Sequence, residues 1–437
     1  MKYKWVIAVT VIVVIALVLA GIFTGFFGKN LNINILTSKP TVTITYPSNG
    51  ASVSELVMIS GTTSNPDASV NISSVEVKID DGDWILADGT ARWSYEWATY
   101  STQNGKYTIS ARSYNGKGYS DTASISVTVN NPAVVDTGAH KFAIFITAAN
   151  FPESNDSKLG NGGLFLSESI AAFFIQTYQY PTSHIIILFD DGWIRTDNGF
   201  GIREKTLQER AHQYDVTYGS ATKANVIASL DHLINESNTF DDSEVFIWIF
   251  NHGAGNQKKP IFGGKILQSS EIFLWDNTIT DRELGNLLAP LTSPKTTILI
   301  DACYAGGFAD RTIFNLKTSL LFHSGVPKDG RVIISSTSKF RTGYASTTQG
   351  PVFTLVWFDG LSSGRADGFR PGILDRGVPR NLNLFKNGVV SVEEAFYYAR
   401  YVLRTDANLK EFKSMQPQMN DEYPHRGVLR SQGQLEL

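Results

Sequence analysis

Three textures of apolar and polar residues succeed one another along the chain. The first is an unbroken apolar run. After Lys2 and Lys4 no charged residue occurs from Trp5 to Gly28, and Val6 to Leu19 are almost wholly aliphatic. About 20 apolar residues cross a bilayer as a helix, and the uncharged run exceeds the roughly 7–15-residue core of a cleaved signal peptide. Residues 1–28 are therefore expected to be a transmembrane signal anchor, with secretion after cleavage near Ala20-Gly21 as the alternative. The leading lysines stay cytoplasmic, which puts the bulk of the chain outside the plasma membrane. Residues 29–39 read as a polar linker.

From Pro40 to Asn131 short alternating runs replace the continuous one: Thr41–Thr45, Leu56–Ile59, Val75–Ile79, Tyr107–Ala111 and Ser124–Val129. Turn residues separate them, at Ser48-Asn49-Gly50, Asp80-Asp81-Gly82, Asn104-Gly105 and Asn115-Gly116. Strands of this length and spacing predict a β-sandwich over 40–131. The Ile-Asp-Asp-Gly-Asp-Trp hairpin, Trp93-Ser94-Tyr95 and the entry Asn104-Gly105-Lys106-Tyr107-Thr108-Ile109 resemble the immunoglobulin-like modules of bacterial and archaeal surface proteins. That resemblance implies a spacer, or an adhesive module with a surface partner.

After a second linker, 132–140, the period changes again. Strand-like apolar runs (Phe142–Thr147, His184–Phe189, Glu244–Phe250, Thr296–Ile300, Arg331–Ser335) alternate with helix-like segments (Leu164–Tyr180, Thr222–Asn235, Ile279–Leu288, and Ser391 to about Leu403). Thr280 with Glu283, and Ser391 with Glu394, have the capping-box spacing that opens a helix. Continuous apolar strands between helices predict a mostly parallel sheet covered on both faces, an α/β/α sandwich spanning 141–437.

Composition narrows the chemistry. The chain is 42% hydrophobic and 18% charged, with a net charge of −3 and no basic run, so nucleic acid is excluded as a main partner. There is one cysteine, so no internal disulfide forms. No His, Cys or acidic spacing suits zinc or calcium, and neither a metal nor another cofactor is expected. Asp190-Asp191, ending an apolar strand, is expected to cap backbone amides.

Two strand ends carry reactive groups. Val245–Phe250 runs into Asn251-His252-Gly253, and Thr297–Ile300 runs into Asp301-Ala302-Cys303. Reactive crevices in open α/β sheets lie beyond the carboxyl ends of strands. A thiol attacks as thiolate, and an imidazole within hydrogen-bond reach supplies that activation. Cys303 is thus the candidate nucleophile and His252 its base. The amides of Gly253 and Cys303 are placed to receive an oxyanion. The separation of 51 residues is close to the roughly 50 of caspases.

These motifs resemble the legumain-type peptidases, relatives of caspases, metacaspases and the transamidase that attaches glycolipid anchors. The similarity covers Phe142 to Ala345. It includes Phe145–Asn150, Leu188–Gly192, and Ile333–Thr337 continuing to Tyr344-Ala345. It implies a caspase-like fold, peptide substrates, Asn150 as the residue orienting the histidine, and Asp301, Ser335 and Ser336 in the specificity pocket. The Arg-His pair of legumains is missing, since Leu166-Ser167 align there after an insertion over 151–163. An acidic pocket at Asp301 would then favour Arg or Lys at the cleaved bond, unless Arg341 supplies the missing charge. Ligation or transamidation through the same thioester is the alternative outcome. An inactive adhesion protein is the alternative of another class.

Overall fold

The computed structural model describes residues 39–67, 69–99, 102–131, 140–151, 158–256, 269–310, 324–372, 378–424 and 434–437. The expected anchor (1–28) and both linkers lie outside these residues, apart from Lys39 and His140. Among the described residues no helix is long and apolar enough to cross a membrane.

The alternating segment folds into two antiparallel-rich sheets. Strands β1 (Thr41–Tyr46), β2 (Leu56–Ser64) and β4 (Arg92–Ala98) form one. Strands β3 (Ser74–Ile79), β5 (Gly105–Tyr114) and β6 (Ala123–Val129) form the other, with short two-residue strands completing each. Alternation sends every second side chain inward. Trp93 therefore meets Ile59, Val75, Val77, Ile109 and Val127 between the sheets, all fully buried or nearly so.

The second unit is built on β7 (Lys141–Ala148), α1 (Gly162–Tyr178), β8 (Ile185–Phe189), β9 (Thr217–Gly219), α2 (Lys223–Ser237) and β10 (Glu244–Asn251). A ribbon follows, β11 (Gly253–Asn256), β12 (Ser269–Phe273) and β13 (Thr278–Thr280), which leads into α3 (Asp281–Leu287). Then come β14 (Lys295–Asp301), β15 (Arg331–Ser335), α4 (Val352–Ser362), α5 (Val392–Thr405) and β16 (Gln418–Asp421). The seven-stranded sheet runs β9-β8-β7-β10-β14-β15-β16. Its first six strands are parallel and only β16 is antiparallel. All eight residues of β10 are buried, as a central strand covered on both faces requires. One apolar cluster lies between the sheet and α1, α4 and α5, and another between its opposite face and α2 and α3.

Two helices the chain forms differ from the sequence expectation. Helix α3 starts at Asp281, because Thr278–Thr280 extends the ribbon. Thr280 caps it through the Glu283 amide at 3.2 Å, while the Glu283 carboxylate turns to Lys223 at 2.7 Å and no full box forms. The box at Ser391 and Glu394 is complete. Helix α4 was not anticipated.

The immunoglobulin-like unit is not a free spacer. Gln208, from the α/β unit, accepts from the Met58 amide (2.7 Å) and donates to the carbonyls of Leu56 (2.5 Å) and Tyr218 (2.8 Å). Its side chain thereby bridges β2 to the edge strand β9. Trp193 Nε1 donates to Ser94 Oγ at 2.8 Å. The Glu96 carboxylate accepts from the Ser220 amide (2.8 and 3.0 Å), from its hydroxyl, and from Asn225. Leu56 enters the apolar cluster of the larger unit beside Ile186, Leu188 and Ala221.

Candidate active site

Strand order fixes where the site lies. From β7 the chain builds outward to β8 and β9, then returns to the other side of β7 to build β10, β14 and β15. The switch falls between β7 and β10, and in open α/β sheets the carboxyl ends of the strands at such a point are where ligand crevices form. Asn150 leaves β7, His252 leaves β10, and Cys303 leaves the neighbouring β14.

Register sets their heights. In the β10–β14 ladder Glu244 pairs with Lys295, and each rung keeps that offset up to Phe250 opposite Asp301. His252 and Cys303 each stand two residues beyond that last pair. Both are partly exposed. Immediately after His252 the chain turns into β11, and a methyl group on Gly253 would overlap the Cys303 carbonyl oxygen and lie 3.1 Å from Ala302 Cβ. Only glycine lets these two backbones approach so closely.

A second wall faces Cys303 from the segment after β15. The Gly343 amide donates to Cys303 Sγ at 3.2 Å. The Tyr304 amide donates to the Arg341 carbonyl at 2.7 Å, with Tyr304 itself at φ 59°. Thr337 Oγ1 donates to the Ala302 carbonyl at 2.7 Å and accepts from the Ala305 amide at 2.9 Å. Burial pushes the Cys303 thiol up from its ordinary value, the Asp301 charge adds to this, and the Gly343 amide and its own amide work against it.

The sequence-selected pocket residues are placed differently from one another. Asp301 is buried. Its carboxylate accepts from the Thr354 amide (3.1 Å) and hydroxyl (2.9 Å) in the first turn of α4, where the helix dipole favours an anion. Trp248 Nε1 donates to the same hydroxyl at 3.1 Å. Burial nonetheless pushes the Asp301 carboxyl up to about 6, with Ser336 and Thr354 pulling it back. Ser335 and Ser336 are also buried, contrary to an open pocket wall, because they continue the ladder: the Ser336 amide donates to the Ile300 carbonyl at 2.9 Å and Ser335 Oγ to that of Gln418 at 3.4 Å. Arg341 and Tyr344 are exposed beside them.

Asn150 is fully buried at the end of β7. Its Nδ2 donates to Asp190 Oδ2 (2.8 Å) and Asn161 Oδ1 (3.3 Å), and Oδ1 is buried without a hydrogen-bond partner. Asp190 accepts the amides of Ala149 (2.6 Å) and Asn150 (3.2 Å), the capping role expected of it. Its burial pushes the carboxyl up to about 7, against the pull of Arg195 and those amides. Asp191 instead holds Arg195 through both oxygens (2.9 and 2.7 Å) and Arg203 at 2.6 Å.

Sequence reasoning missed the aromatic side of the crevice. The His252 ring lies 6.1 Å from that of Phe151, which stacks on Trp275 at 5.6 Å and 11°. The Phe273 amide donates to the His252 carbonyl at 3.0 Å. A cluster of three or more His, Cys, Asp or Glu side chains able to hold a metal is absent among the described residues.

Comparison with known proteins adds the following. Residues 40–111 match the family model of the bacterial Ig domain. No curated protein matches the chain. Among solved structures it is similar to the fibronectin(III)-like modules of CbhA from Clostridium thermocellum, at 31% identity and a TM-score of 0.19, over 22% of this chain and 48% of that one. The endo-beta-1,4-mannanase from Thermotoga petrophila is 16% identical with a TM-score of 0.19, over 22% and 20% of the two chains. Caspase-1 from Spodoptera frugiperda is 16% identical with a TM-score of 0.29, over 54% and 72%. The chain thus spans about a fifth to a half of the first two structures' length. What the family match supports is an immunoglobulin-like region over residues 40–111.

Proposed function

We propose that the chain is a legumain-type cysteine endopeptidase, held at the plasma membrane by residues 1–28 and acting outside the cytoplasm. One observation carries the reading: the register that sets Phe250 opposite Asp301 brings His252 and Cys303 off adjacent strands at one level, with Gly253 against the Cys303 backbone.

The chemistry follows from that arrangement. Cys303 Sγ attacks a peptide carbonyl while its proton passes to His252, so a carbon–sulfur bond forms and the carbonyl electron pair moves to oxygen. The amides of Gly253 and Cys303 stabilise the oxyanion. On collapse the carbon–nitrogen bond breaks and His252 returns its proton to the leaving amine. Water, deprotonated by the same imidazole, then hydrolyses the thioester. A thiol held above its ordinary pKa makes the imidazole necessary: proton removal accompanies attack instead of preceding it. In the specificity pocket, Asp301 is a buried carboxylate whose charge no cation among its named neighbours offsets. It would favour Arg or Lys at the cleaved bond.

Incubation with a peptide library tests this, with Cys303→Ala and His252→Ala as controls. The expected result is cleavage after basic residues and a loss of at least about 10³-fold in each variant. Undiminished cleavage in either variant refutes the mechanism. Faster cleavage after Asn than after Arg refutes the pocket assignment.

A further inference from the structure

Two chains of contacts run from the immunoglobulin-like unit and meet on one residue, Trp275, which stacks on the ring beside the proposed base. In the first, Asp88 pairs with Arg203, and Arg203 with Asp191. Asp191 holds Arg195, whose guanidinium lies 4.9 Å from the Trp275 ring centroid. In the second, Glu96 binds the Ser220 amide and hydroxyl, and the adjoining Ala221 carbonyl accepts the Trp275 amide at 3.0 Å. Trp275 stacks on Phe151, and Phe151 abuts the His252 ring.

We infer that the immunoglobulin-like unit is part of the catalytic apparatus, its Asp88 and Glu96 acting through Trp275 and Phe151 as positioning residues for His252. Geometry favours this over simple adhesion between the units. Arg195 is buried and held on both guanidinium nitrogens, so the cation is fixed over the indole instead of sampling many rotamers. Trp275 is gripped at ring and backbone by partners that each trace back to the other unit. The Phe151 ring of that stacked pair then lies 6.1 Å from the imidazole, tilted by 37° to it. Cation, indole and phenyl ring form a column whose far end is anchored in the module. Spatial continuity alone is not coupling, so the test measures coupling directly.

The inference rests on His252 acting as the base, and the experiment separates the two. In the full chain, the ring-proton NMR shifts of His252 are recorded at one pH in wild type, Asp88→Ala, Glu96→Ala, Trp275→Ala and Trp275→Phe, with peptide kinetics and melting on the same samples. Asp88 is mostly exposed, so its variant folds even where the others do not. The expected result is displaced His252 ring-proton shifts in Asp88→Ala, Glu96→Ala and Trp275→Ala, because the Phe151 ring beside the imidazole moves. The kcat falls roughly tenfold with little change in KM, Trp275→Phe restores both readouts, and Glu96→Ala adds nothing in the Trp275→Ala background. Unmoved ring-proton shifts in the two module variants, or losses that simply add, overturn the inference. Loss of the peptidase mechanism shows elsewhere, as Cys303 alkylation that ignores His252→Ala, and leaves the ring-shift result standing.

Discussion

The backbone of Gly253 lies against the carbonyl of Cys303 with no room for a side chain between them. This contact ties the residue after the proposed base to the proposed nucleophile, across two parallel strands. Gly253→Ala forces the two turns apart. The expected outcome is a fall in kcat of roughly 10²-fold, the size of losing one oxyanion donor, with the far-ultraviolet circular dichroism spectrum retained. Peptide kinetics at near-wild-type rates would remove Gly253 from the site.

Alkylation of Cys303 by iodoacetamide should report on its proton. Burial raises the folded thiol above its ordinary value, so without a base the thiolate appears only at alkaline pH. Wild type is expected to react near neutrality. In His252→Ala the rate should rise only above the ordinary thiol range. Superimposable pH–rate curves for the two proteins would mean that the imidazole does nothing for the sulfur.

Asp301 contributes a pH dependence with a defined sign. Its folded carboxyl stands at about 6 against an ordinary 3.8, a raised value. The protonated form therefore fits better, the stabilisation is complete below about 3.8, and it is lost as pH rises through about 6. Asp301→Asn keeps a neutral, hydrogen-bonding side chain and should melt with a flatter profile between pH 4 and 7. It should also lose any preference for basic residues at the cleaved bond. Parallel wild-type and variant melting curves across that window would argue against the assignment.

Glu96 behaves in the same sense at the junction of the two units. Burial pushes it up to about 7 from 4.5, with the Ser220 hydrogen bonds opposing. Its stabilising share is present below about 4.5 and fades as pH rises through about 7. Docking should therefore be tighter in mild acid. Hydrogen exchange at the β2 and β9 amides, slower at pH 5 than at pH 8 after correction for intrinsic rates, would show it. In Glu96→Gln that difference should shrink.

Much of the fold was legible because its signals are local. The strands Ile185–Phe189, Glu244–Asn251 and Lys295–Asp301 are largely continuous apolar runs between helices, and the equal height of His252 and Cys303 follows from their place just past the ends of such runs. Helix α4 escaped notice because Pro351-Val352-Phe353-Thr354-Leu355-Val356-Trp357 is apolar on all sides and shows no stripe. With α4 missed, the partner of Asp301, Thr354 in its first turn, was invisible, and the carboxylate read as free. The legumain resemblance puts Ser335 and Ser336 at a pocket wall, and it carries no sign of the buried ladder that they continue. The docking of the two units was hidden for another reason. It depends on single polar residues such as Gln208, Glu96 and Arg203, which in a sequence resemble any solvated surface.

The Gln208 bridge has a consequence for the order in which the protein acquires its shape. Strand β9 is only three residues long and lies at the rim of the large sheet. Left bare, such a rim is a template for pairing with a neighbouring molecule. Because synthesis delivers the immunoglobulin-like unit first, its β2 strand and Leu56 are already folded when Thr217–Gly219 emerges. In the folded chain the earlier unit covers that rim through the Gln208 bridge and Leu56. A chain begun at Lys141 would have to reach its native state with that rim uncovered.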